Sequence, residues 1–90
     1  MTAASDGTKL SIIIPAKNEA ASISEVVSAA RALYPRAEIL VVDDGSDDET
    51  ASQAEQPGAT VIRHPISLGN GAAVKNGARA ATGDTLVLMD

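Results

Sequence analysis

Short apolar runs alternate with amphipathic stretches along this chain of 90 residues. The clearest run, Ile39–Val42, shows no alternation of apolar and polar positions, which is typical of a strand buried on both faces of a parallel sheet. It leads directly into Asp43 and Asp44, and because an unpaired charge is costly to bury, these carboxylates should lie where the strand leaves the sheet. We predict four such strands, within residues 10–15, 38–46, 59–63 and 85–90, the last as another buried strand.

The first amphipathic stretch predicts a helix with a single apolar face. Two starts are possible: Asn18 as the cap, or a capping box formed by Ser22 and Glu25. Pro35 ends the helix. The apolar face consists of Ile23, Val26, Val27, Ala30 and Leu33.

Two further helices are predicted between the later strands. A second capping box, over residues 46–49, places the start of the second helix at Asp47, and its apolar face is thin. His64 falls in the loop after the third strand, and no second histidine is present to form a zinc pair. The third helix follows Gly69-Asn70-Gly71 and runs to about Thr82.

The resulting order of elements is β-α-β-α-β-α-β. Strands and helices that alternate at this spacing form parallel sheets through right-handed crossovers, so we predict a Rossmann-like α/β/α fold of three layers with about four strands and three helices. Residues 1–8 form a disordered leader, and residues 9–90 form the domain. The chain stops at Asp90, at the mouth of the fourth strand, and we interpret it as the amino-terminal piece of a longer domain.

Composition narrows the class of protein. The chain is 44% hydrophobic with one aromatic residue, so Val, Ile, Leu and Ala must build its core. A net charge of −5 argues against nucleic acid as a partner, and the absence of cysteine excludes disulfides. No apolar run approaches the ~20 residues of a membrane span and no signal peptide is recognisable, so we expect a cytoplasmic protein.

Polar groups follow three of the predicted strands. They are Pro15–Glu19 after the first, Asp43–Ser46 after the second and Asp90 at the end of the fourth. The carboxyl ends of parallel strands form one edge, and ligands bind there in open α/β sheets. The start of the third helix adds free N–H groups that suit a phosphate, while the carboxylates suit base N–H groups, ribose hydroxyls or a divalent metal. We therefore predict a nucleoside-diphosphate site.

Each part of this site also has a structural explanation. Asp44-Gly45 is a common turn pair, and Asn18-Glu19 can simply begin a helix. Lys75 lies inside the third helix, where a solvated charge is the usual case. The joint occurrence of these groups at one edge favours a function.

Together these residues resemble a known family. Residues 11–19 (SIIIPAKNE) and 41–50 (VVDDGSxDxT) are similar to the opening of family-2 glycosyltransferases of GT-A fold. Residues 70–77 (NGAAVKNG) and 80–90 (AATGDxxVxMD) resemble the branch that contains dolichyl- and polyprenyl-phosphate hexosyltransferases. The resemblance covers nearly all of residues 9–90.

The resemblance implies transfer of a hexose from a UDP- or GDP-sugar. By this resemblance, Pro15 and Ala16 line the base pocket, Glu19 holds the ribose or base, and Asp44 accepts a hydrogen bond from the base N–H. Asp90 matches the first Asp of the Asp-x-Asp motif that holds Mg²⁺ or Mn²⁺. The candidate nucleotide-sugar site is completed by Asn18, Asp43, Gly71 and Lys75.

The acceptor and any catalytic base are expected beyond residue 90, so the piece by itself should be inactive. The acceptor could be a polyprenyl phosphate in a membrane, which would place the whole protein at the cytoplasmic face. Two other functions stay open: a sugar-nucleotide nucleotidyltransferase, although the glycine-rich loop expected after the first strand is missing, and a fragment without ligand that forms a homodimer through its exposed sheet edge.

Overall fold

The structure is a computed structural model, and it describes residues 9–89. The predicted leader at residues 1–8 and the predicted metal ligand Asp90 lie outside the described residues. The elements alternate as the sequence predicts. They are β1 (Leu10–Ala16), α1 (Ile23–Leu33), β2 (Glu38–Asp44), α2 (Thr50–Glu55), β3 (Thr60–His64), α3 (Asn70–Ala80) and β4 (Thr85–Leu88).

The four strands form a single parallel sheet in the order β3-β2-β1-β4. The register pairs Ala16 with Asp43 and Asp44 with His64, so the carboxyl ends of β1, β2 and β3 lie side by side. All three connections are helical crossovers. The expected α/β fold with a parallel sheet is confirmed.

Helices cover both faces of the sheet, which gives the predicted three layers. Because side chains alternate along a strand, Ile39 and Val41 face one side and Leu40 and Val42 the other. On the first side, α1 and α2 bury the larger core. Its fully or nearly fully buried members include Ile12, Ile14, Ile23, Val27, Ala30, Ile39, Val41 and Ala54.

The second side is thinner and is covered by α3. Ala73 of this helix packs on Ile13 and Val42. At Gly77 the helix approaches the sheet so closely that an added Cβ would lie 2.6 Å from Ile13 Cγ2 and 3.1 Å from Val42 Cγ2. Glycine at this position therefore sets the distance between α3 and the sheet.

The fourth strand differs from the buried strand that its apolar run predicts. It lies at the edge of the sheet, and Leu86 and Leu88 are 47% and 52% exposed. The prediction is wrong because Leu88 shares its face with its neighbour Ile13, while α3 packs mainly on β1 and β2 on that face. Dimer formation through this edge stays a prediction.

Two helix starts also differ from expectation. The second helix begins at Thr50 rather than Asp47, since Asp48 Oδ1 accepts bonds from the backbone N–H and the hydroxyl of Thr50 and so holds residues 48–50 in a turn. Ser46 does not cap it, because its hydroxyl accepts a bond from the Asn18 N–H. The first helix follows Ser22, one of the two predicted starts, but without a side-chain capping bond.

The remaining boundaries shift by one or two residues. The first strand includes Ala16, and α3 ends at Ala80 rather than near Thr82. Within residues 9–89, no helix has the length and apolar character needed to cross a bilayer.

Candidate active site

An open cleft of about 380 Å³ lies at the carboxyl ends of β1 and β2, beside the start of α3. One wall comes from the end of β1 and the turn that follows it, and the other from the segment 67–73. Asp44 lies between the two walls. The lining residues are Pro15, Ala16, Lys17, Glu19, Asp44, Ser67, Gly69, Asn70 and Ala73.

The β1 wall is held by the turn after Ala16. Asn18 has a φ of +52°, and its N–H donates to Ser46 Oγ at 2.8 Å while its Oδ1 accepts from the Asp47 N–H at 2.8 Å. The Glu19 N–H donates to Thr50 Oγ1 at 2.9 Å. Asn18 therefore joins the turn after β1 to the turn after β2. The turn after β1 presents two polar side chains to the cleft, those of Lys17 and Glu19.

Asp44 anchors the opposite wall. Its Oδ1 accepts from His64 Nδ1 at 2.8 Å and from the Leu68 N–H at 2.7 Å. Its Oδ2 accepts from Ser67 Oγ at 2.8 Å and from the Gly69 N–H at 2.9 Å. A carboxylate has about four acceptor positions, so this network uses all of them. The loop before α3 is thus fixed to the end of β2.

These bonds favour the ionised carboxylate. Donation from the Leu68 N–H is the largest cause, followed by the His64 bond, and together they hold the pKa of Asp44 far below its ordinary value of 3.8 although burial opposes them. The side chain of Asp44 is charged at neutral pH and is 5% exposed as a residue. A negative charge is therefore fixed at the base of the cleft.

Gly45 lets the same loop approach the turn after β2. It adopts a φ of +74°, which favours glycine, and an added Cβ would lie 2.5 Å from the Ser67 backbone N. Asp44-Gly45 therefore forms a turn, as the structural interpretation of this pair predicts, and it also borders the cleft. The two interpretations are compatible.

His64 does not lie in the loop after the third strand, so that prediction is wrong. It is the last residue of β3, 5% exposed, and bonded to Asp44 on one side and to Asn76 of α3 on the other. The signal that could have found it is its position at the end of the third strand, since parallel pairing places that residue beside the end of the second.

Asp43 is not brought to the cleft. It alternates with Asp44 along the strand and faces the side of α1 and α2, where it is fully buried. Its Oδ1 accepts from the Ser46 N–H at 3.0 Å, and its Oδ2 has no hydrogen bond but lies 3.4 Å from Arg63 Nε. Its role in nucleotide binding stays a prediction that this geometry does not favour.

Gly71 and Lys75 lie on α3 but do not line the cleft. Both are exposed, and no atom lies within 4 Å of a Cβ added at Gly71. The helix turns Asn70 and Ala73 toward the cleft instead. Of the predicted nucleotide-sugar residues, the structure gathers Pro15, Ala16, Glu19 and Asp44. The cleft residues missing from the predicted set are Lys17, Ser67, Gly69, Asn70 and Ala73.

A divalent metal has no complete ligand set among residues 9–89. This part of the chain contains no group of three or more His, Asp or Glu side chains placed to hold a metal ion. The acceptor positions of Asp44 are occupied, and Asp43 faces the other side of the sheet. The predicted ligand Asp90 lies outside the described residues, so the described residues do not by themselves form a site for the metal.

The family model described as "Glycosyl transferase family 2" matches residues 11–90. The chain belongs to this family. A curated relative is the undecaprenyl-phosphate 4-deoxy-4-formamido-L-arabinose transferase of Enterobacter sp. (strain 638), 37% identical over 91% of this chain and 28% of the relative. Membership supports a glycosyltransferase over the nucleotidyltransferase alternative.

Solved structures of the family share the fold. The glucosyl-3-phosphoglycerate synthase of Mycobacterium tuberculosis, crystallised with Mn²⁺, UDP-glucose and phosphoglyceric acid, superposes with a TM-score of 0.84 at 33% identity, covering 98% of this chain and 34% of that one. The same synthase has been crystallised with Mg²⁺ and UDP, with a TM-score of 0.83. The described sheet therefore has the GT-A fold, and the chain spans about a third of the length of these relatives.

Proposed function

We propose that this chain forms the nucleotide-sugar-binding part of a glycosyltransferase that transfers a hexose from a nucleoside-diphosphate sugar, either a UDP- or a GDP-sugar. The observation that supports this proposal is the cleft at the carboxyl ends of β1 and β2. It combines the apolar surface of Pro15 and Ala16, a fixed carboxylate, a cation and the start of a helix. These are the groups that a base, a ribose and a diphosphate require.

The diphosphate fits between the start of α3 on one wall of the cleft and Lys17 on the other. The first backbone N–H groups of a helix have no partner within the helix, and they carry partial positive charge. Asn70 and the Gly69 turn present this end of α3 to the cleft. Lys17, on the opposite wall, supplies a full positive charge. Both groups favour the charge that develops on the diphosphate as the sugar leaves.

The base fits between Pro15, Ala16 and Asp44. Pro15 and Ala16 offer apolar surface, and Asp44 offers a charged acceptor for a base N–H. Since four donors already occupy Asp44, one of them must give way. The Ser67 hydroxyl is the candidate, because Ser67 is exposed and its hydroxyl can rotate to water. Glu19 lies in the same wall as Pro15, where its carboxylate can accept from ribose hydroxyls.

The acceptor is proposed from the relatives alone. Their names include an undecaprenyl-phosphate sugar transferase and a glucosyl-3-phosphoglycerate synthase, so both acceptors carry phosphate. Where the phosphate oxygen itself attacks, it is anionic at neutral pH and needs little help from a base, whereas a hydroxyl of a phosphate-containing acceptor needs one. We propose a phosphate-containing acceptor and a cytoplasmic location.

Calorimetric titration of the full-length protein with UDP-glucose and GDP-mannose tests the proposal. We expect one donor to bind with a Kd in the range of roughly 1 μM to 1 mM that enzymes show for substrates. Asn70→Trp fills the cleft from an exposed position and should weaken binding at least about tenfold, since a bulky ring then occupies the diphosphate position.

Arg79→Trp is the matched control, because it adds the same ring to the exposed end of α3 outside the cleft lining. It should bind the donor as the parent does. Equal binding by parent and Asn70→Trp would place the nucleotide elsewhere, and no binding of either donor would refute the proposed function.

A further inference from the structure

A chain of three side chains runs beneath the cleft from α3 to Asp44. The Asn76 amide nitrogen lies 2.9 Å from His64 Nε2, and His64 Nδ1 lies 2.8 Å from Asp44 Oδ1. Each member comes from a different element: Asn76 from the middle of α3, His64 from the end of β3 and Asp44 from the end of β2. Neither His64 nor Asn76 lines the cleft. Neither side chain touches a ligand in the cleft directly, and the side-chain bond that links them to the cleft is the one to Asp44.

The chain has a defined direction. The Asp44 carboxylate is ionised and can only accept, so His64 Nδ1 must carry the proton that it donates. The Asn76 amide nitrogen can only donate, so His64 Nε2 must be the acceptor. The imidazole therefore turns a protonated Nδ1 to Asp44 and its Nε2 to the Asn76 amide. Fixing the tautomer of a histidine through its second nitrogen is a common way to orient the group that it contacts.

This arrangement separates the two oxygens of Asp44. Oδ1 is held from the interior by His64, which is 5% exposed, and by the Leu68 N–H. Oδ2 is held by the Gly69 N–H and by the hydroxyl of Ser67, a residue of the cleft lining. An interior contact on Oδ1 prevents rotation of the carboxylate about its Cβ–Cγ bond. Oδ2 then keeps a constant position at the cleft.

We propose that His64, oriented by Asn76, is a positioning residue that holds Asp44 Oδ2 where it accepts the N–H of the donor's nucleobase. The inference rests on the proposed function, because it assumes that a nucleotide occupies the cleft. It adds a requirement for specificity: the preference for a base that carries this N–H depends on a histidine that the base does not touch.

The test compares UDP with N3-methyl-UDP, which lacks the base N–H, in the full-length protein; GDP and N1-methyl-GDP form the second pair. In the parent, we expect methylation to raise the Kd about tenfold or more, since the base can no longer donate to Asp44 Oδ2. In His64→Ala, the unmethylated nucleotide should bind about tenfold more weakly and the ratio of the two Kd values should fall toward one. Isothermal titration calorimetry measures the Kd of each nucleotide for each protein.

Two further variants separate positioning from general support of the fold. His64→Asn places an amide nitrogen near the position of Nδ1 and should restore most of the ratio, whereas Asn76→Ala should lower it while leaving His64 in place. Thermal unfolding of each variant is recorded beside the titrations. If His64→Ala or Asn76→Ala lowers the melting temperature but keeps the parental ratio, the residues are only structural and the inference is wrong.

The same data distinguish this inference from the proposed function. A parent that binds neither UDP nor GDP refutes the proposed function. A parent that binds one of them and loses affinity on methylation, with a ratio unchanged in His64→Ala, supports the proposed function and refutes the role of His64. A parent that ignores methylation refutes the contact between Asp44 and the base.

Discussion

Each end of β2 carries a hydrogen-bonded carboxylate that holds one end of α3, but the two carboxylates lie in different surroundings. At the carboxyl end, Asp44 bonds to the loop that begins α3. At the amino end, Glu38 Oε1 accepts from Ser11 Oγ at 2.7 Å and from the Thr82 N–H at 2.8 Å, just after α3 ends. Each carboxylate thus fastens one end of the same helix to the same strand. In both, bonds from donors lower the pKa, the Thr82 N–H being the largest cause at Glu38.

The difference lies in what surrounds each carboxylate. The Asp44 network borders an open cleft and the start of α3, where the helix dipole is positive. The Glu38 network meets the carbonyl end of α3, where the dipole disfavours an anionic ligand, and it does not line the cleft. A hydrogen-bonded carboxylate therefore does not mark a site by itself. The cleft and the direction of the helix distinguish the functional end from the structural one.

The largest effects are expected when each of the two carboxylates is removed, and they test whether only Asp44 serves the cleft. Asp44→Ala leaves two backbone N–H groups, a hydroxyl and His64 without their acceptor, so we expect the larger loss in the free energy of unfolding and a loss of donor affinity of at least about a hundredfold. Glu38→Ala should cost about 0.5–1.5 kcal/mol, because two of its three bonds come from the exposed Thr82, where water can replace the carboxylate, and only the Ser11 hydroxyl loses its acceptor inside the protein. Donor affinity should stay within about twofold of the parent.

Urea unfolding and calorimetric titration of both variants measure these effects. Full donor affinity in folded Asp44→Ala would show that both ends of β2 are structural. A loss of affinity in Glu38→Ala as large as in Asp44→Ala would show that the affinity depends on the placement of α3 as a whole.

An effect smaller than that of Asp44→Ala is expected at Gly77, which lies on α3 between the two segments that the carboxylates hold. The Cβ of Gly77→Ala would lie 2.6 Å from Ile13 Cγ2, so α3 must move from the sheet, and we expect a loss of about 1–3 kcal/mol in the free energy of unfolding. Gly71→Ala is the control, because it meets no atom within 4 Å and gains helix propensity worth up to about 1 kcal/mol. Urea unfolding that shows both variants equally stable would mean that α3 is held by its ends alone.

Periodicity and strand ends were enough to predict the parallel sheet, its three helices and the edge that carries the cleft. They could not predict which of two adjacent carboxylates faces the cleft, since Asp43 and Asp44 differ only in the face of the strand that each occupies. They missed His64 because its contacts with Asp44 and Asn76 join residues 20 and 12 positions apart. They also overestimated the burial of β4, because an apolar run does not reveal how far a helix extends over a sheet.

Lowering the pH gives the last comparison of Asp44 with Glu38, and the change in stability expected from it is the smallest. Both pKa values are lowered in the folded state, so each carboxylate contributes stability that is fully present above its ordinary pKa and is lost as the pH falls through its folded pKa. The ordinary values are 4.5 for Glu38 and 3.8 for Asp44. The difference in stability between the parent and Glu38→Ala should therefore start to shrink below about pH 4.5, and that for Asp44→Ala only below about pH 3.8, continuing to lower pH.

Urea unfolding of the parent and both variants, from neutral pH to the onset of acid unfolding, measures the two differences. The other carboxylates of the chain contribute equally to the parent and to each variant, so their titration cancels. Because four donors hold Asp44 and three hold Glu38, the Asp44 difference should persist to the lower pH. If the Asp44 difference disappears first, its donors do not hold the ionised carboxylate more firmly than those of Glu38, and the larger number of bonds to Asp44 does not translate into a stronger preference for the charged form.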